Sequence, residues 1–277
     1  MLERLRTWLC DAFPLEDRDA PPSAAAQANG PIPPDALRAG GRGSRASAFR
    51  VGGATLTGPR PKNDDSYRID GSAGLIAVSD GISGAPDGDV MSRVATGSVL
   101  EAYAETHDLA RAFTAANDAA AHVAHLIDND ACGATLLAAA YDETRLAIAW
   151  AGDTIAYRLR GGLLEQLADA ERADGTSALT AAVGYDYGLA PSTAVYDIAP
   201  GDRFLFCTDG VWEPYLDILG RERLVERMSE HDNAPLLARA IVEEAAGAGT
   251  DNATAVVLIA EARPQDAKTG PGPEEAG

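Results

Sequence analysis

The sequence predicts an α+β fold, with antiparallel sheets covered by helices on the outside. Short runs rich in Val, Ile, Leu and Phe recur at strand length between Gly, Asp and Pro. From Thr135 to Arg160 these runs follow one another directly, while a pair of helical stretches lies apart from them. Several of the runs also end in the same way, on an aspartate beside a glycine.

In chain order the predicted strands are Phe49–Leu56, Leu75–Ser79, Thr135–Tyr141, Leu146–Trp150, Ile155–Arg160, Thr193–Ile198, Phe204–Cys207 and Ala253–Ala260. A further strand is expected just after Gly58-Pro59-Arg60-Pro61-Lys62-Asn63-Asp64-Asp65-Ser66. Helices are predicted from Asp89 to Glu105, where Val90, Val94, Val99 and Tyr103 mark an apolar face, and from Asp108 to Ile127. A third, Ala234 to Ala246, presents Leu236, Leu237, Ile241 and Val242. No internal repeat is present.

These elements place one folded domain at residues 46–262. Residues 1–45 read as a flexible tail and linker, because Pro21-Pro22, Pro31-Ile32-Pro33-Pro34 and Gly40-Gly41-Arg42-Gly43 cannot bury enough surface to offset their ordering entropy. Residues 263–277 have the same character and read as a disordered tail. Leu2, Leu5, Leu9 and Phe13 share one helical face, which leaves open both a docking helix and an ordinary frayed start.

Composition narrows the function classes. The 277 residues suffice for one large core, and 46% hydrophobic content is that of a globular protein. The net charge of −19 argues against nucleic acid or an anionic membrane surface as partner. No apolar stretch approaches the ~20 residues of a membrane span, so stable membrane insertion is not expected. Cys10, Cys132 and Cys207 are too widely spaced for a disulfide framework or a thiolate site, and a reducing cytoplasm is the expected setting.

The aspartates carry the chemistry. Leu75 to Val78 leads to Ser79-Asp80-Gly81, Leu146 to Ala151 to Gly152-Asp153, and Phe204 to Cys207 to Thr208-Asp209-Gly210; Thr250-Asp251-Asn252 precedes the last strand. Taken singly, an Asp-Gly pair is as readily a turn as a site. Four carboxylates at strand ends can meet at one rim, where they repel one another and lose hydration, so they call for a hard cation. Arg60 nearby suits a phosphate, since its planar fork takes two oxygens. Ser66, Ser79, Ser83 and Ser92 lack a histidine pattern or nucleophile elbow, and Cys207 reads as core. His107, His122, His125 and His231 read as helix-surface or core-edge residues, and Trp150 and Trp212 as packing beside the rim.

In their order along the chain these motifs resemble those of the PPM-type, metal-dependent Ser/Thr protein phosphatases. Arg60 with Asn63-Asp64-Asp65 is similar to Arg-x-x-Asn-(Glu/Gln)-Asp, and Val78-Ser79-Asp80-Gly81-Ile82-Ser83-Gly84 to Val-Ala-Asp-Gly-Met-Gly-Gly. Gly133-Ala134-Thr135, Ala151-Gly152-Asp153-Thr154-Ile155-Ala156-Tyr157, Pro200 to Gly210 and Asp251-Asn252-Ala253-Thr254 complete the set. The resemblance implies a four-layer αββα sandwich with two central antiparallel sheets. It implies that Asp80 bridges two Mg²⁺ or Mn²⁺ ions and that the Gly81 carbonyl holds one of them. Asp209 and Asp251 would ligate the first ion, and Asp65, with Asp64 beside it, would serve the second directly or through water. Asp153 would help hold a third, weaker ion, and Arg60 would clamp the phosphate. A metal-bridging water would then attack phosphorus in line.

The implied activity is hydrolysis of phosphoserine and phosphothreonine in phosphoproteins, a Ser/Thr kinase among them, by a monomer acting in signalling. The competing class is a phosphatase-like binding module with little turnover. Two departures bear on that choice. Ala85 stands where the family often carries a histidine general acid, so a steep leaving-group dependence is expected. The flap is also short, with only Ala168 to Ala178 between Leu167 and Leu179-Thr180-Ala181-Ala182-Val183-Gly184.

Overall fold

Among the described residues, ten strands form two five-stranded sheets, antiparallel throughout, and their alternating side chains build three separate layers of core. The computed structural model describes residues 49–82, 87–129, 132–185 and 187–261. The strands are β1 (Phe49–Leu56), β2 (Asp65–Asp70), β3 (Leu75–Asp80), β4 (Leu136–Tyr141), β5 (Leu146–Ala151), β6 (Ile155–Arg160), β7 (Leu163–Gln166), β8 (Ser192–Tyr196), β9 (Arg203–Cys207) and β10 (Ala253–Ala260). One sheet runs β1-β10-β9-β6-β7 and the other β2-β3-β4-β5-β8. The helices are α1 (Gly88–Thr106), α2 (Leu109–Leu126), α3 (Asp209–Pro214), α4 (Arg221–Ser229) and α5 (Ala234–Ala248), with one π-helical turn at Tyr215–Leu219. The expected αββα sandwich is thus present. The linker, the carboxy-terminal tail, the amino-terminal helix and Ala85 lie outside the described residues.

Strand periodicity sorts the layers. On β3, Ile76 and Val78 face the other sheet, while Leu75 and Ala77 face α1 and α2. On β9, Phe204 and Phe206 fill the space between the sheets, and Leu205 and Cys207 face α5. Ala138, Ala140, Ala147 and Ala149 on the helix-facing side of β4 and β5 are small, as are Ala112, Ala116 and Ala120 on α2, so helix and sheet pack closely.

Helix ends follow local rules. Asp108 caps α2 by accepting from Arg111 N–H at 3.2 Å, and Asn233 caps α5 by accepting from Leu236 N–H at 3.0 Å. Burial alone would raise the Glu244 carboxyl, but hydrogen bonds from Arg227, Arg223 and Tyr215 hold it at about 2 and lock α4 to α5. Among the described residues no helix is long and apolar enough to cross a membrane.

The row of inward-facing residues between the sheets changes character at one end. Ile76 and Val78 lead to Asp80, Phe204 and Phe206 lead to Thr208, and Leu258 and Val256 lead to Thr254. An apolar core therefore ends in a polar rim.

Candidate metal centre

The rim is organised by threonine hydroxyls that sequence reasoning did not single out. Thr208 Oγ1 donates to Asp65 Oδ2 at 2.9 Å, crossing from one sheet to the other, and itself accepts from Thr254 N–H at 3.1 Å. Thr135 Oγ1 accepts from Asp80 N–H at 2.9 Å and lies 2.6 Å from Thr154 Oγ1, a second link between sheets. Each threonine follows or opens a buried apolar run, and that position was the available signal.

Asp65 and Asp80 are direct partners in the β2–β3 register, so their carboxylates share a face. Asp209 opens α3, and Asp251 precedes β10. Gly210 lets these two segments touch: a Cβ there would lie 1.8 Å from Asn252 O. Gly81 has the same role at α1, where a Cβ would lie 2.2 Å from Gly88 O; its N–H donates to Asp64 O at 3.0 Å. Asn252 clamps the loop before β2, accepting from Asp64 N–H at 2.8 Å and donating to Thr57 O and Lys62 O at 2.8 and 2.9 Å.

The chain thus brings Asp65, Asp80, Asp153, Asp209 and Asp251 into one electrostatic field. Burial, then the charges of Asp65, Asp209, Asp153 and Asp251, push the Asp80 carboxyl well above its ordinary range. Burial raises Asp65 to about 7, against the hydrogen bonds from Thr254 and Thr208, and with the charges of Asp209 and Asp251 adding to the rise. Asp209 also rises to about 7, through burial and then Asp153, Glu213 and Asp251, with Arg172 opposing. Asp153 is raised by burial and held back by Arg172.

Among the described residues no three His, Cys, Asp or Glu side chains form a finished ligand shell. Asp251 instead pairs with Arg60, whose Nε also donates to Thr250 O at 3.3 Å; Asp64 pairs with Lys62 Nζ at 2.7 Å. Asp153 and Asp209 both face Arg172. Among the described residues, the buried Oδ1 atoms of Asp65 and Asp209 are left without a hydrogen-bond partner. An orphaned, buried carboxylate oxygen among mutually repelling acids is the donor that a hard divalent cation fits. Asp65 and Asp209 supply such oxygens and Asp80 lies in the same field of charges, while Asp251 is held by Arg60. Asp153, expected to help hold a third ion, shows no orphaned oxygen of this kind, and its Oδ2 faces Arg172.

The remaining candidates have structural duties. Cys132 and Cys207 are buried in the core, and all four histidines are exposed. Trp150 Nε1 donates to Asp169 O at 3.0 Å and Trp212 Nε1 to Asp153 O at 2.9 Å, so both tryptophans pack beside the rim as expected. A cavity of about 390 Å³ lies next to the centre, lined by Ile82, Leu179, Thr180 and Tyr185 among others.

The family model described as "Protein phosphatase 2C" matches residues 57–243, more than half the chain. The serine/threonine protein phosphatase PstP of Mycobacterium tuberculosis is 30% identical over 228 residues, covering 72% of this chain and 42% of the relative. The chain therefore spans less than half the length of that curated relative. The crystal structure of the PstP catalytic domain with two manganese ions superposes with a TM-score of 0.68 at 25% identity, covering 78% of this chain and 99% of that one. PppA of Pseudomonas aeruginosa, described as a regulatory component of a type VI secretion system, gives 0.68 at 28% identity, with 77% and 98% covered.

Proposed function

Because this chain belongs to the protein phosphatase 2C family, we propose that it hydrolyses phosphoserine and phosphothreonine esters of phosphoproteins using two divalent cations, Mg²⁺ or Mn²⁺. The observation that carries this reading is the convergence of Asp65, Asp80, Asp209 and Asp251 at one end of the inter-sheet core, with buried carboxylate oxygens left unpaired. When bound, such ions neutralise phosphate oxygens and supply a water acidic enough to act near neutral pH.

The chain's own residues do the positioning. Asp80 would face both ions, Asp209 and Asp251 one, and Asp65 the other, with Asp64 and the Gly81 carbonyl beside it. Thr208 and Thr135 fix Asp65 and the Asp80 backbone from below, so the carboxylates need little reorganisation to accept metal. Arg60 is 40% exposed and already lies on Asp251, which suits a guanidinium that turns from its carboxylate to an incoming phosphate. The cavity beyond Ile82 offers room for the peptide flanking the phosphorylated residue. Phosphoproteins, a kinase among them, are the substrate class; a monomer in the cytoplasm is the setting we propose.

Manganese-dependent hydrolysis of 4-nitrophenyl phosphate and of a phosphothreonine peptide tests the assignment. Asp80→Asn or Asp209→Asn should lower turnover by more than ~100-fold with the fold intact, since even outer-shell partners of a metal are worth roughly 10–100-fold. Wild-type turnover and metal content in either variant would refute it.

A further inference from the structure

The segment between β7 and β8 delivers a cation into the acidic rim. Glu171 anchors it: its N–H donates to Gly152 O at 3.0 Å, and its carboxylate accepts from Gly152 N–H at 2.9 Å and from Ser192 Oγ at 2.5 Å. Thr180 N–H donates to Glu171 O at 2.8 Å, closing the segment on itself. With Glu171 tied to the turn that ends in Asp153, the next side chain, Arg172, lies over the rim.

Its guanidinium meets three acids, Asp153 after β5 and Asp209 and Glu213 on α3. Nε donates to Asp153 Oδ2 at 2.6 Å, Nη2 to Asp209 Oδ2 at 2.9 Å and Nη1 to Glu213 Oε1 at 2.5 Å. The group also stacks over Trp212 at 4.9 Å from the ring centre, and Trp212 in turn holds the Asp153 carbonyl. Arg172 is only 17% exposed at its side chain, and Asp153 6%. A planar fork held on several sides by carboxylates and from one face by an indole is poorly placed to swing away. Nε and Nη2 both lie on Asp153 Oδ2, so a divalent ion approaching Asp153 would come beside a fixed positive charge, and two cations on one carboxylate repel.

We propose that Arg172 is the resident cation at Asp153, standing where a third divalent ion would otherwise bind, and that it steadies Asp209 by one oxygen while leaving the other for metal. The proposal rests on the two-metal reading above. It makes Arg172 a positioning residue and restricts the centre to two ions.

Equilibrium dialysis of the full chain against Mn²⁺, with elemental analysis, reads the stoichiometry directly. The wild type should saturate at two ions per chain from micromolar to millimolar Mn²⁺, and Asp153→Asn should leave that number unchanged. Arg172→Gln, checked for folding by circular dichroism, should gain a third ion; Arg172→Lys, which keeps the charge, should stay at two. A wild type that takes three ions, one of them lost in Asp153→Asn, overturns the proposal without any arginine variant. So does a folded Arg172→Gln that saturates at two with wild-type affinity. A wild type that binds no Mn²⁺ and hydrolyses nothing refutes the two-metal reading itself, and the proposal falls with it.

Discussion

Thr208 and Asp65 show how single residues set the working pH of the centre. An acid raised in the folded state keeps a proton that the unfolded chain has already released. In the metal-free protein Asp65 and Asp209, both near 7 rather than 3.8, therefore lower stability as pH rises from about 3.8 to about 7 and add no further loss above that. A bound cation removes that penalty, and below pH 7 it must displace protons to do so. Apparent Mn²⁺ affinity is thus expected to weaken as pH falls below about 7, with proton release visible by calorimetry in buffers of different ionisation enthalpy. The hydroxyl of Thr208 opposes the rise at Asp65, so Thr208→Val should move the decline to higher pH and weaken binding by roughly 10–100-fold. A profile that ignores both pH and the hydroxyl would show that these acids do not meet the metal.

Among the elements, the strands that end or begin beside Asp80, Asp209 and Asp251 were legible because each is a buried run: β3, β9 and β10 lie within a residue of their predicted limits. The misses have physical reasons. In β7 only Leu164 is buried, so an edge strand of four residues leaves no alternation to detect. Asp209-Gly210 reads locally as a turn, whereas tertiary contact with Asn252 makes it the start of α3. Helix α4 is mostly charged and buries only Leu224 and Met228. Arg172 sits in a segment with no periodicity, and only the Glu171–Gly152 anchoring gives it a place. Motif order says which carboxylates meet but not through which oxygen. The α3 start is the sharpest element to test. Gly210→Ala would drive a methyl group into Asn252 O, separating Asp209 from Asp251. We expect a loss of about 1–3 kcal/mol in urea unfolding, as for other overpacked sites, together with weakened Mn²⁺ binding. Unchanged values for both would mean that α3 and β10 are not held in register by that contact.

At the scale of the whole molecule, β1 closes the fold by pairing along its full length with β10, Phe49 opposite Ala260 and Leu56 opposite Ala253. A chain trimmed to residues 49–261 should consequently keep both sheets, a cooperative melt and metal-dependent hydrolysis of an aryl phosphate; unfolding or inactivity of that fragment would make residues 1–48 integral to the domain. The same pairing fixes a polarity. The carboxylates stand where β10 begins, while Phe49 and Ala260 stand where it ends, roughly 25 Å away for eight extended residues. Cargo fused to either end of the 49–261 fragment would thus hang from the pole opposite the carboxylates, and both tethers would leave from neighbouring points. Those points are close enough for a short Gly-Ser bridge to join them, so the polypeptide could be rewired as a circular permutant reopened at the exposed Gly161-Gly162 turn, with the carboxylates untouched.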